Sequence, residues 1–255
     1  MKKTISLLLT GAVALSLAAC TNTTAQTEDT AMQQPAPQGA DSAPAPTTAG
    51  KTLVAYFTRL DNTAATLDEI VQGGGPYGPV GDSLATADVD ALSSASITML
   101  DGQAQGNVQT LAQYIAAATG GELFSIQTEQ SYPVDYDTLI DQGGEERRQS
   151  ARPALSTHVE DMTAYDVVFL GFPNWWGDMP MALYSFLEEY DLSGKTVIPF
   201  VASASSGLSD TVRAIGEAQP NAIVVDDGLH IRMGEVAQGE QRVRDWLTEL
   251  GLLAE

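Results

Sequence analysis

Three stretches of the chain are apolar without alternation, and they restrict the fold more than any other feature. Leu53-Val54-Ala55-Tyr56-Phe57 is the first, Asp166 to Phe172 (DVVFLGF) the second and Lys195 to Ala202 (KTVIPFVA) the third. A strand with one face in water alternates polar and apolar residues, whereas a strand covered on both faces does not. Glu122 to Ile126 and Ala222 to Val225 are weaker candidates for a fourth and a fifth strand. Pro199 stands against the third run, because proline has no N–H to give to a sheet ladder.

Between these runs the apolar period changes to that of a helix. Val108, Leu111, Ala112 and Ile115 fall at i, i+3, i+4 and i+7, with Gly120 placed to end the helix. Leu183, Phe186, Leu187 and Tyr190 repeat the spacing behind Pro180, read as a first-turn residue. Val243, Trp246, Leu247 and Leu250 repeat it before Gly251, and a shorter helix starts near Ser209. Strands alternating with helices predict an α/β three-layer sandwich around a parallel sheet with right-handed crossovers. In such sheets ligands bind beyond the carboxyl ends of the strands, where the strand order reverses.

Charge narrows the partners. The 255 residues carry 12 Lys+Arg against 33 Asp+Glu, a formal net charge of −21. Nucleic acid is excluded as a default partner, since phosphate contacts need a basic face. One cysteine rules out an internal disulfide, and two distant histidines, His158 and His230, argue against a His-rich metal centre. Both histidines read as surface or loop residues, with His230 close enough to a strand end to approach the loop after the third run. Glu145 to Arg148 reads as a solvated helix face.

The first fifty residues are set apart from the rest. Lys2 and Lys3 precede an apolar run from Ile5 to Ala19, the layout of a secretory signal and short for a membrane span. It ends in Leu17-Ala18-Ala19-Cys20, which resembles a bacterial lipobox and implies a lipidated Cys20. Without residues 1–19 the chain has ten Lys+Arg against 33 Asp+Glu, a net charge of −23. Residues 20–50 are rich in Thr, Ala, Gln and Pro and read as a flexible tether, about 30 Å in average reach. The folded domain is then 51–255, with an insertion at about 60–105 that contains Gly73-Gly74-Gly75-Pro76.

Three loops follow the three strongest strands. The first begins Thr58-Arg59-Leu60-Asp61-Asn62-Thr63. Arg59 is the sole Lys or Arg between Lys51 and Arg147, and residues 60–146 hold fourteen Asp or Glu. It marks either an anionic ligand or an ion pair with one of those acids. The second loop runs from Pro173 and Asn174 through Trp175-Trp176-Gly177 to Pro180. Adjacent side chains on a regular element point in different directions, so one indole can pack inside while the other covers a flat ligand. The third, Ser203-Ala204-Ser205-Ser206-Gly207, has small residues that let backbone approach a ligand.

Taken together, Tyr56-Phe57-Thr58-Arg59, Gly106-Asn107, Tyr132-Pro133, Arg152-Pro153, Tyr165-Asp166, Gly171 to Gly177, Met179-Pro180 and Asp191 to Lys195 resemble the flavodoxin family over about 51–250. The FPNWWGDMP segment with YDLSGKTVIPF is the specific part. The resemblance implies a five-stranded parallel sheet in order 2-1-3-4-5 and bound FMN. It implies a phosphate site at Thr58, Arg59 and the amides near Gly106, Asn107 and Val108, with Asn107 also able to cap the helix. Asn62-Thr63 offers a second register for that phosphate. Trp175 or Trp176 would stack on the flavin ring, with Pro173, Asn174 and Gly177 beside it. Ser203, Ala204, Ser205 and Gly207 would line its other edge. Tyr132-Pro133 falls near the ligand by family position.

The function expected is an FMN-dependent electron-transfer lipoprotein. It would sit on the outer side of the bacterial cytoplasmic membrane or in the outer membrane, with a basic redox partner. An NAD(P)H-dependent quinone reductase on the same fold is one alternative. A flavin-free binding or scaffolding lipoprotein is another, motivated by the tether and by Val108 standing where the family has threonine.

Overall fold

The computed structural model describes residues 50–63, 97–100, 103–133 and 136–253. The signal at 1–19, Cys20, the tether up to residue 49 and the Gly73–Pro76 segment lie outside the described residues.

The first apolar run forms β1, Lys51–Tyr56, buried from Leu53 onward because it has a neighbour on each side. One neighbour is β4, Glu122–Ser125, paired parallel from Leu53↔Glu122 to Tyr56↔Ser125. The other is β5, Tyr165–Pro173, paired parallel with Leu53↔Val168 and Tyr56↔Gly171. Beyond it lies β6, Thr196–Ser203, then β7, Ile223–Val224, so the sheet runs β4-β1-β5-β6-β7. Counting only these strands in chain order gives 2-1-3-4-5, as expected.

The outer edge differs from the expected single fifth strand. β7 pairs only with Thr196 and Val197, while β8, Leu229–Arg232, pairs with Phe200 to Ser203. This break accommodates Pro199. The Val225 N–H donates to the Val197 carbonyl at 2.9 Å. By strand alternation Pro199 turns toward the same edge, opposite the gap between β7 and β8, where no ladder donor is required.

Alternation within the strands divides the core into two layers. Leu53, Ala55, Phe57, Val168, Leu170 and Phe172 pack with α3 (Met181–Glu189) and with Leu139 of α2 (Tyr136–Gln149) and Ile215 of α4 (Thr211–Ala218). Val54, Tyr56, Val167, Phe169, Ile198 and Phe200 face α1 (Asn107–Thr119) and α5 (Glu240–Glu249). The result is the three-layer α/β sandwich. Gly120 ends α1 in the left-handed region, at φ +71°. Pro180 is the N-cap of α3 rather than its first-turn residue.

The helix face read at Glu145 to Arg148 is the end of α2, whose polar, glycine-containing sequence hides the rest of its period. Besides β8, an antiparallel hairpin of β2 (Ile97–Leu100) and β3 (Gln103–Gly106) at the end of the 60–105 insertion had no counterpart in the sequence. The hairpin delivers Gly106 directly to the start of α1.

Candidate functional site

The strands of the central sheet are all parallel, so the loops after β1, β5 and β6 emerge at one edge. The order changes direction at β1, with β4 on one side and β5 on the other, which marks the switch point.

The first loop is fixed by Asn62. Its amide nitrogen donates to the Thr58 carbonyl at 2.9 Å and to the Ile126 carbonyl at 3.0 Å. Its oxygen accepts from the Thr128 N–H at 2.8 Å and from the Thr128 hydroxyl at 3.1 Å. Its backbone carbonyl accepts from the Tyr132 N–H at 2.7 Å. Asn62 thus has no side-chain donor left for a phosphate, and the second register at Asn62-Thr63 is corrected: Asn62 is scaffold, while Thr63 bridges to Tyr132.

Thr58 and Gly106, distant in sequence, meet in space. A Cβ on Gly106 would fall 2.3 Å from Thr58 Oγ1, so only glycine fits there. Gly106 is the N-cap of α1, its N–H accepted by Gln109 Oε1 at 3.2 Å. Asn107 is therefore the first helical residue and not the cap. The Val108 side chain is fully buried in the core, so its part in the site is limited to the backbone N–H that the resemblance implied. Thr58 Oγ1 and Asn107 Oδ1 are both buried and have no hydrogen-bond partner among the described residues. Such atoms are rare and costly. Arg59 is 3% exposed beside them and donates to the Pro133 carbonyl at 3.0 Å. Asp61 accepts from the Ser125 hydroxyl at 2.6 Å. Burial pushes its carboxyl up, and the Tyr56 hydroxyl is also pushed up, by burial first and then by Asp61.

The second loop is a tight turn. Trp175 and Asp178 exchange N–H···O bonds of 2.9 and 3.0 Å, and between them Trp176 and Gly177 have φ of +58° and +76°. That is the signature of a type I′ turn, which suits Gly177 and strains Trp176. The Gly177 N–H donates to Asn174 Oδ1 at 3.0 Å. Asp178 anchors the turn by accepting from the Tyr184 hydroxyl at 2.8 Å and by pairing with Arg147 at 3.3 Å.

The two indoles take different roles. Trp175 packs edge-on to Phe57 (5.6 Å, 87°) and Tyr132 (5.3 Å, 82°). Its buried Nε1 has no hydrogen-bond partner among the described residues. Trp176 is 56% exposed. Trp176 is therefore the indole with a face available to a flat ligand. Pro173 ends β5 in a buried position.

The third loop is held from outside. Asn174 Nδ2 donates to the Gly207 carbonyl at 3.0 Å and to Ser209 Oγ at 2.9 Å, joining it to the second loop. Arg232 Nε donates to the Ala204 carbonyl at 3.1 Å. Ser203 Oγ accepts from the Gly207 N–H at 3.1 Å and lies 2.9 Å from His230 Nε2. His230 is half-buried on β8, so the surface reading is corrected for it; desolvation holds its imidazole below the ordinary range. His158 is exposed and pairs with Glu189 at 2.7 Å. Ser205 is exposed. The only sequence signal for the Ser203–His230 pair was the position of His230 after the weak strand near residue 225.

An open sheet with hydrogen-bonded loops at its switch point defines the doubly wound α/β class of ligand-binding domains. The family model described as Flavodoxin matches residues 98–250, more than half of the chain. The protein belongs to the flavodoxin family. The match begins within the last part of the insertion, at β2, so β1 and the Thr58 loop precede it. No curated protein matches the chain. Among solved structures it is similar to a Bacteroides eggerthii protein described as a flavoprotein, with 23% identity, TM-score 0.54 and coverage of 79% of this chain and 98% of that one. A Bacteroides uniformis protein described in the same way gives 25% identity, TM-score 0.53 and coverage of 78% and 98%.

Proposed function

We propose that the protein binds FMN across the carboxyl ends of β1, β5 and β6 and serves as an electron-transfer protein. The observation that carries this reading is the pair of buried polar atoms where the β1 loop meets the start of α1, Thr58 Oγ1 and Asn107 Oδ1, which have no partner among the described residues. A hydroxyl donor, a buried guanidinium at Arg59 and the first-turn amides of a 13-residue helix suit a phosphate. The Asn107 oxygen is an acceptor and suits a hydroxyl of the ribityl chain. The exposed face of Trp176 suits the tricyclic ring, and the 203–207 backbone lies across the Asn174 bridge from it. The donor set therefore fits FMN.

When bound, FMN supplies reversible uptake and release of electrons. The chain holds the phosphate in a buried, pre-formed cradle, covers one ring face with Trp176 and fixes the third loop through Asn174, Arg232 and Ser203. Its acidic field opposes further negative charge at the site and lowers the reduction potential, an effect that salt weakens. The same field favours a basic redox partner.

Export and anchoring complete the proposal: residues 1–19 direct secretion and Cys20 carries lipid, with 21–50 as the tether. No helix among the described residues is long and apolar enough to cross a membrane. The deciding experiment is titration of purified protein with FMN, followed by quenching of flavin fluorescence. Saturable one-to-one binding is expected; a folded protein that leaves the flavin signal unchanged overturns the reading. In membrane fractionation, Cys20→Ser should release the protein from the membrane, and a variant that stays bound refutes the anchor.

A further inference from the structure

α2 contains two consecutive glycines in its interior, Gly143 and Gly144. Glycine is among the poorest helix formers, so a pair of them mid-helix needs a reason. The reason lies in the second loop. A Cβ on Gly143 would sit 3.4 Å from Trp175 Cε3 and 3.8 Å from Cζ3. A Cβ on Gly144 would sit 3.3 Å from Trp176 Cε2 and 3.4 Å from both Cζ2 and Nε1. Gly144 thus faces Trp176, while Gly143 faces Trp175 and its added Cβ reaches Trp176 Nε1 at 4.0 Å. Trp176 Nε1–H also donates to the Ile140 carbonyl at 3.2 Å, on the same helix one turn earlier.

These contacts offset a local cost. Trp176 is held at φ +58°, a conformation that a bulky residue adopts only when its surroundings over-determine it. The turn alone asks for glycine or asparagine at this place. The indole's ring contact and its hydrogen bond to α2 hold it there instead, with more than half of the side chain still open to solvent.

We propose that Gly143 and Gly144 are positioning residues for the flavin-stacking ring. They set the depth at which the Trp175-Trp176 pair lies on α2, and through Trp176 they set the surface offered to the ring of FMN. The inference rests on the FMN reading above. A methyl group at 144 presses on the indole at a separation tighter than ordinary contact, so the ring must lift and its bond to Ile140 must lengthen. A methyl group at 143 meets Trp175 at ordinary contact distance, so the same change there has the smaller effect.

The test is Gly144→Ala in the full chain, read in two ways. The chain has three tryptophans, so three indole N–H resonances are expected, and Trp176→Phe assigns the relevant one. Gly144→Ala should shift that resonance and speed its exchange with solvent, with or without FMN. FMN affinity should fall about tenfold, and in a Trp176→Ala background the same substitution should leave affinity unchanged, since the effect passes through the indole. The thermal midpoint should hold or rise, because alanine is the better helix former. Gly216→Ala in α4, where an added Cβ meets nothing within 4 Å, is the control and should not alter FMN affinity. An unmoved Trp176 resonance overturns the proposal, as does an equal affinity loss in both backgrounds. Failure of the wild-type chain to bind FMN strikes the FMN reading, and the resonance still decides the seat.

Discussion

Thr58 and Trp176 belong to one candidate site, but their surroundings are built on different terms. Around Thr58 the backbone is locked by an asparagine whose donors and acceptors are all used, while the hydroxyl itself and the nearby Asn107 oxygen are buried without partners. Around Trp176 the turn's backbone bonds are closed, Gly177 is held by Asn174, and the group left over is an apolar ring in solvent. The first region keeps its unsatisfied groups inside, where they cost stability until a polar ligand completes them. The second, apart from the buried Trp175 Nε1, keeps its unsatisfied surface outside, where the cost is smaller and falls on strain at one residue. A site for an amphipathic ligand can therefore place its polar recognition in a rigid, dry cradle and its apolar recognition on an exposed turn.

Three substitutions test this contrast, beginning with the largest effect. Asn62→Ala removes four side-chain hydrogen bonds at once and strands buried backbone groups of Thr58, Ile126 and Thr128. A loss of about 3 kcal/mol in urea unfolding is expected. A loss below about 1 kcal/mol means that the loop is not rigidly held and that the contrast with the second loop fails.

Thr58→Val should separate stability from binding. The isosteric change removes a buried hydroxyl that has no partner, so the FMN-free protein should gain about 1 kcal/mol in urea unfolding. FMN affinity should fall about tenfold through loss of one hydrogen bond to an anion. If both quantities fall together, the hydroxyl has a structural partner and the cradle is not pre-formed for a ligand.

His230 gives the smallest effect, and its sign is fixed by its surroundings. Desolvation lowers its pKa from 6.5, Arg242 and Arg232 add to the lowering, and the bond with Ser203 and the nearby Glu235 oppose it. The folded state then binds this proton less readily than the unfolded state. Stability from the neutral imidazole is complete above about pH 6.5 and is lost as pH falls through the folded value. Urea midpoints measured from pH 8 to pH 5 should fall more in the wild type than in His230→Asn. Parallel curves mean that the third loop is not held through Ser203 and His230.

The central sheet was legible because a strand covered on both faces must be apolar throughout, and the runs at 53–57, 166–172 and 195–202 obey that rule. The helices α1, α3 and α5 were legible through their apolar stripes. The broken edge was not, because residues 222–232 alternate weakly and the break answers to Pro199, a residue of the neighbouring strand. The β2–β3 hairpin and the part of α2 before residue 145 were hidden for a similar reason: polar surface elements carry a weak period, and Gly143-Gly144 reads as a breaker until the indoles are in view. In the site, the three loops were found from their places after the strands. The role of Asn62 was not, since it depends on Thr128 and Ile126, supplied by another segment, and for His230 only the approach to the third loop was legible, not its bond to Ser203.

The divided outer edge of the sheet has a consequence for a chain proposed to live crowded on a membrane. An uninterrupted edge strand is a template on which a second molecule can extend the sheet. Here the outer rim offers only β7, of two residues, and β8, of four, separated by a bend. The opposite rim, β4, is four residues long and begins with a charged glutamate. Among the described residues neither rim presents a run long enough to serve as a template for strand addition.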